Sequence, residues 1–515
     1  MRQREPDFFQ NLQDEFSDLR AWVDRSVVLA YAVVAGLFVV AFTWLSEAAF
    51  ELFKHLHGRA PWAVLVWTPC LTALIVWCTR RFAPGAGGSG IPQVMAALDP
   101  GITPGMRAGL VSLRLTFAKI VLGVTGLLAG LSAGREGPSV QVAAGVMHDA
   151  RRWLRPGSAM GEHALLVAGG AAGMAAAFNA PLAGVVFAIE ELSKKMESRN
   201  NGLIIAAIVV AGLVAISVFG NLTYFGSIEV PRLSWQAFWP GLLVALVCGV
   251  LGGLFSRLLA ASLQGLPDRV SAYRRRYPVR FAAVAGMGVA VIGLVTGGAT
   301  FGAGAEQVRL MLAGEAETSP LYVLLKLVAT WLTSWSGVPG GIFAPSLSIG
   351  GGIGHDIAML LGGDNARLLA PSLIALGMAG FLAATTQAPL TSFIIVMEMI
   401  NGRSMVLSLM ASAMLASLVA RLISRPLYTA LAGMMVRKLR PRAAPTAAPD
   451  SDLPSEPARQ PEPDAQRSGT APPHAEPAAE ATAPPQADPQ LDPDTDRPPE
   501  AEPPSEPGPL PAPPR

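Results

Sequence analysis

Apolar stretches long enough to cross a bilayer recur along this chain, at 27–46, 202–219, 237–255 and 281–297 among others. A helix of about 20 such residues spans the ~30 Å hydrocarbon core. Charged residues make up only 15% of the 515 residues and hydrophobic ones 51%, whereas soluble domains carry about 25% charge. The body is more apolar than this average, because residues 441–515 hold more than half of the 43 prolines. These features indicate an all-α, multi-pass membrane protein and exclude a string of soluble domains.

Three regions follow from composition. Residues 1–25 are polar, charged throughout and without a cleavable-signal pattern. Phe8, Phe9, Leu12 and Phe16 recur there at roughly helical spacing, as an interfacial helix would have them. Residues 26–438 form the membrane body, and 439–515 a Pro/Ala-rich tail too poor in apolar residues to fold. Basic clusters at Arg151, Arg152 and Arg155, at Lys194, Lys195 and Arg199, at Arg274–Arg276 and at Arg437–Arg442 predict the cytoplasmic loops. The same rule puts both termini in the cytoplasm of a cell (inner) membrane. A net charge of +2, from 39 basic and 37 acidic residues, gives no ground for nucleic-acid binding. Cys70, Cys78 and Cys248 have no metal-ligand spacing and read as small buried hydrophobes, so no metal or cofactor is expected.

The body is a duplication. Pro138-Ser139, Gly145 and His148-Asp149 recur 207 residues later as Pro345-Ser346, Gly352 and His355-Asp356. Ala180-Pro181-Leu182 and Glu190 recur 208 residues later as Ala388-Pro389-Leu390 and Glu398. The copies cover roughly 28–220 and 230–436. A two-fold repeated membrane body is the usual plan of transporters, with the site at the repeat interface.

Glycine-proline clusters break the apolar runs at 85–92, 134–138 and 340–345. Each leads into a short helix with proline in its first turn, where a missing N–H costs nothing. Non-helical backbone inside a membrane is tolerated only where it is buried or lines a water-filled cavity. Three helices starting inside the bilayer would aim free amides and positive dipole ends at one point, which makes an anion site from backbone. Arg135 and Glu136 lie in the second cluster, and an ionised residue at that depth usually serves a pathway. An ionised Glu136 would occupy the anion site and a protonated one would leave it, so it is a candidate gate and proton carrier.

These segments resemble the signature motifs of the chloride channel and chloride–proton antiporter (CLC) family: GSGIP at 88–92, GREGP at 134–138 and GIFAP at 341–345, with FNAPLAG at 178–184 and RPLY at 425–428. The resemblance implies two inverted repeats of broken, tilted transmembrane helices, assembled as a homodimer in the lipid bilayer with one pore per subunit. It implies that Ser89, Tyr428 and the amides of Ile342 and Phe343 bind the anion. Glu136 would be the external gate, flanked by the pore-lining Arg135 and Gly137, and Glu191 the internal proton-transfer carboxylate. The implied function is secondary active exchange of chloride for protons; the alternative is a passive, gated chloride channel. Ser89 points to chloride, since nitrate-transporting relatives carry proline there. The tail does not resemble the paired nucleotide-binding modules of many relatives, so regulation by adenine nucleotides through such modules is not expected.

Two enzyme-like patterns are coincidental. Gly130-Leu131-Ser132-Ala133-Gly134 fits the nucleophile pattern GxSxG, yet it leads into Arg135-Glu136 and has no counterpart in the second repeat. Gly85, Gly87 and Gly90 fit a dinucleotide fingerprint, but no soluble βαβ unit surrounds them. The chain is therefore expected not to be an enzyme. Deleting the tail after about residue 442 removes no apolar core, so the truncated protein should extract into detergent as a folded, transport-competent species. Size-exclusion profiles and flux measured beside the full chain check this; aggregation of the truncated form would show that the tail packs.

Overall fold

The computed structural model describes residues 19–155, 158, 160–193, 201–220, 237–315 and 319–439. The aromatic residues at 8–16, the cluster at 194–199 and the tail beyond 439 lie outside the described residues.

The first repeat opens with α1 (Leu19–Arg59), followed by α2 (Val64–Phe82). Helix α1 starts ahead of the first apolar run, so residues 19–25 continue into the span without a break. A glycine-rich loop leads into the short α3 (Ile91–Ala97), then α4 (Pro104–Ala108) and α5 (Leu113–Leu128). The second broken segment opens α6 (Glu136–Asp149), followed by α7 (Glu162–Phe178), α8 (Pro181–Phe187) with a π-helical turn at Ala188–Leu192, and α9 (Asn201–Phe219).

The second repeat begins with α10 (Phe238–Gln264), α11 (Arg269–Arg276) and α12 (Pro278–Val295). It continues with α13 (Ala305–Ala313), α14 (Tyr322–Ser336), α15 (Phe343–Leu361) and α16 (Gly363–Thr386). It closes with α17 (Pro389–Met399), α18 (Val406–Ile423) and α19 (Leu427–Leu439). Eight helices among the described residues are long and apolar enough to span a membrane. Their outer faces carry exposed Trp44, Leu52, Leu407 and Leu422, as lipid-facing surfaces do.

Local chemistry explains the repeat. Helices α7 and α16 end on Asn179 and Gln387, equivalent residues with φ 55° and 62°. A left-handed residue stops a helix, and the following Ala-Pro starts the next one at once. Two contacts reveal a local two-fold axis between the copies. Gly134 N–H donates to Gly341 O (2.8 Å), and Gly341 N–H donates back to Gly134 O (2.7 Å). Glu398 accepts from the amides of Leu182 and Ala183, while its equivalent Glu190 accepts from those of Leu390 and Thr391. Contacts that pair equivalent residues reciprocally require a two-fold relation.

Helix backbones meet where side chains are absent. A Cβ on Gly350 of α15 would collide with the Gly377 carbonyl of α16, and one on Gly377 with the Gly350 carbonyl. Such small-residue contacts drive helix packing in lipid. Gly350→Ala should therefore cost about 1–3 kcal/mol by overpacking. Gly433→Ala in α19, where nothing lies within 4 Å of an added Cβ, should be neutral or stabilise by about 0.5–1 kcal/mol. Thermal unfolding in detergent checks both; equal behaviour of the two variants would refute the packing account.

Candidate functional site

Three irregular backbone segments meet between the repeats. The Gly134–Gly341 pair joins two of them. Gly88 N–H donates to Val338 O and Gly340 N–H to Gly88 O, both at 3.2 Å, which ties in the third. Glycine is required by proximity: a Cβ on Gly90, where φ is 110°, would lie 2.6 Å from Gly137 O, and one on Gly341 2.9 Å from Gly137 N. Buried side chains pair with further backbone groups of the loop. Lys119 Nζ donates to Ala86 O (2.8 Å) and Gly88 O (2.6 Å). Gln93 donates to Gly87 O and accepts from Gly90 N–H (3.0 Å), and Gln141 donates to Gly85 O (2.9 Å).

The converging helix ends have amides to spare. The first intrahelical bonds of α6 and α15 are Ser139 N–H to Arg135 O and Ser346 N–H to Ile342 O, both 2.9 Å. Amides ahead of them have no partner within their helix, and Pro138 and Pro345 carry none. The amides of Ile342 and Phe343, expected to bind the anion, belong to this set. The Glu136 side chain turns back over Gly134, where a Cβ would collide with its carboxylate and lie 3.2 Å from Ala344 Cβ. Its carboxylate lies near the amides at the starts of both α6 and α15, yet neither oxygen makes a hydrogen bond of good geometry.

The other expected residues gather here. Ser89 Oγ lies against Gly137, where a Cβ would meet it. Tyr428, in the first turn of α19, is 1% exposed, and Phe343 stacks on its ring at 5.8 Å. The Ser89 and Tyr428 hydroxyls are neighbours, but neither closes a hydrogen bond of good geometry. Glu136 and Glu191 are both within electrostatic reach of the Tyr428 hydroxyl. Glu191 stands apart from the helix ends, half-buried in the π-helical turn after α8.

Two cavities flank this cluster. One of about 700 Å³ is lined by Arg135, Glu47, Lys54 and Asn179. The other, about 330 Å³, is lined by Ser89, Ile342, Tyr428, Arg274 and Lys438. Arg135 pairs with Glu47 at 2.9 Å, which turns its charge toward the larger cavity. The buried Ser132 hydroxyl is bonded to Thr330 Oγ1 at 2.9 Å, and its N–H donates to Thr333 Oγ1.

Sequence reasoning missed Glu47, Gln93, Gln141 and Lys119. A signal for Lys119 existed, because a lone cation in the apolar run 115–128 recurs at Lys326, 207 residues later. Lys326 Nζ donates to Thr300 O (3.0 Å) and Gly302 O (2.8 Å), the second-repeat counterparts of Ala86 and Gly88. That loop carries Ala303 in the place of Ser89.

A family model described as "Voltage gated chloride channel" matches residues 71–421. Among curated relatives, the H(+)/Cl(-) exchange transporter ClcA of Citrobacter koseri is 32% identical over 406 residues, covering 75% of this chain and 83% of that protein. The protein of the same name from Vibrio parahaemolyticus is 31% identical over 411 residues, covering 75% and 84%. A slow cyanobacterial Cl-/H+ antiporter superposes with a TM-score of 0.65 at 26% identity, over 81% of this chain and 98% of that one. A CLC-type fluoride/proton antiporter shares the fold, with a TM-score of 0.65 at 22% identity over 83% and 99% of the two chains.

The paired lysines separate support of the fold from support of the site. Lys119→Met and Lys326→Met each strand two buried carbonyls, at about 1–3 kcal/mol apiece. Both variants should melt earlier, but only Lys119→Met should weaken chloride binding by calorimetry, since only its loop carries Ser89. Equal loss of affinity in both would assign the lysines a purely structural role.

Proposed function

The chain belongs to the voltage-gated chloride channel family, and on that premise we propose that it is a secondary active antiporter exchanging chloride for protons. The observation that carries this reading is the set of polar atoms at the meeting of α3, α6, α15 and α19. Ser89 Oγ, Tyr428 OH and both Glu136 oxygens are buried without hydrogen bonds of good geometry, beside helix-end amides that also lack partners in their helices. Buried polar groups are normally paired. A cluster of unpaired donors is costly unless a ligand passes through it, and these donors suit a small anion.

Selectivity and coupling follow from the same groups. Chloride would take hydrogen bonds from Ser89, Tyr428 and the amides of Ile342 and Phe343, reached from the cavity they line. Next along the path, the ionised Glu136 carboxylate lies against the same kind of amides and competes with chloride for them. Protonation removes the charge that holds it there, the side chain leaves, and the anion advances. Protons reach Glu136 from Glu191, which stands off the anion path. The Glu47–Arg135 pair and Gly137 border the outer approach. The exchanger names of relatives above 30% identity support exchange over passive conduction.

The same reading includes a homodimer in the lipid of the cell (inner) membrane with both termini cytoplasmic. Arg274 and Lys438, which line the smaller cavity and belong to the basic clusters at 274–276 and 437–442, support that orientation.

Reconstitution into liposomes, with chloride and pH followed together, tests the function. A chloride gradient should drive protons against their own gradient; chloride flux without proton movement would establish a channel instead. Glu136→Gln stays neutral, so it should conduct chloride passively with no proton coupling and without this group's pH dependence. Glu191→Gln should stop proton movement while chloride flux keeps its sensitivity to external pH. Full coupling in Glu191→Gln would remove that residue from the proton path.

A further inference from the structure

We propose that Glu190 is a positioning residue for proton transfer: it fastens the π-helical turn that carries Glu191 to the amide end of α17 in the other repeat. This rests on the reading of Glu191 given above.

The need for such a bond begins in sequence. Helices α8 and α17 both open with Ala-Pro, and an alanine at the N-cap has no oxygen for the first-turn amides. Proline at the first position removes one donor, which leaves the next two amides to be satisfied. In this protein the partners come from across the two-fold axis. Glu190 accepts from Leu390 N–H (3.0 Å) and Thr391 N–H (2.7 Å). Glu398 accepts from Leu182 N–H (3.3 Å) and Ala183 N–H (2.8 Å). Each carboxylate uses both oxygens and sits at a positive helix end, the stronger kind of hydrogen bond.

The clasp is symmetric, but what it holds is not. Glu398 lies within regular α17 and is followed by Met399, a buried apolar residue. Glu190 lies in the π-helical turn Ala188–Leu192, closed by Ser193 N–H donating to Ala188 O (2.8 Å), and is followed by Glu191. A π turn closes over five residues instead of four, is rare, and frequently lies at a functional site. It sets successive side chains at angles that a regular helix would not give them. A two-point anchor on Glu190 fixes that turn, and with it the direction of the neighbouring carboxylate. One repeat uses the clasp only to join the copies; the other also uses it to aim Glu191.

The test measures the proton-to-chloride flux ratio and the melting temperature of four variants in the full chain, reconstituted and in detergent. Glu190→Gln should lower the ratio by about tenfold or more, the scale for losing a charge-assisted bond that orients an acting group. Glu398→Gln breaks the equivalent bonds and should melt as early, while its ratio stays within about twofold of the native chain. Leu390→Pro deletes one donor to Glu190 at a first-turn position without losing an intrahelical bond. It should lower the ratio in the same direction, and it decides the matter if Glu190→Gln does not fold. Glu191→Gln is the control. If it uncouples while Glu190→Gln or Leu390→Pro keeps the native ratio, the positioning role is overturned. An equal drop in Glu398→Gln also overturns it, since general loosening of the repeats would then explain the effect. If Glu191→Gln itself stays coupled, the proton-path reading fails and this inference with it.

Discussion

Two backbone hydrogen bonds between Gly134 and Gly341 hold the centre of this protein together. The hydrocarbon core offers no water to satisfy interrupted backbone, so a broken helix there must find its partners within the protein or in a water-filled cavity. Pairing each residue with its own repeat equivalent meets that need with one sequence pattern used twice. Gly88 joins by bonding to Val338 and Gly340, and Lys119, Gln93 and Gln141 pair with further backbone groups of the loop. Once the loops are tied, the helices leaving them must start at nearly the same place. Their free amides then converge as a consequence.

The backbone is nearly symmetric, and the chemistry is not. Glu136 opens α6, whereas its equivalent at the start of α15 is Phe343, whose ring supports Tyr428. Ser89 has Ala303 as its counterpart, and Glu191 has Met399. The paired lysines and the paired clasp glutamates kept their identities, because both copies need the same backbone groups satisfied. Duplication therefore preserved the residues that hold the loops and let the residues proposed to meet ions diverge.

The two cavities reach the cluster from different walls. Arg135 borders one and Ser89 with Tyr428 the other, while Glu136 is fully buried between them. A single carboxylate at that point can act as a barrier to anions and as a carrier of protons.

The apolar runs, the 207-residue repeat and the three glycine-proline interruptions were legible in sequence, because lipid imposes helices and close approach imposes glycine. Those same constraints pointed to the three broken segments and to Glu136, whereas Ser89, Ile342, Phe343 and Tyr428 were singled out by the resemblance of their motifs to the chloride channel and antiporter family. The reciprocal bonds of Glu190 and Glu398, the Glu47–Arg135 pair and the role of Lys119 were not legible. Each joins positions far apart in the chain: 216 residues separate Leu182 from Glu398, and 31 separate Lys119 from Gly88. Lys119 and Lys326 recur at the repeat offset, yet their sequence neighbourhood does not say which carbonyls they meet. Sequence determined which segments must break inside the membrane, since breaking is a local property of glycine and proline. Only tertiary structure decided what satisfies the broken ends, because a buried polar group takes its partner from whatever the fold brings within 3 Å.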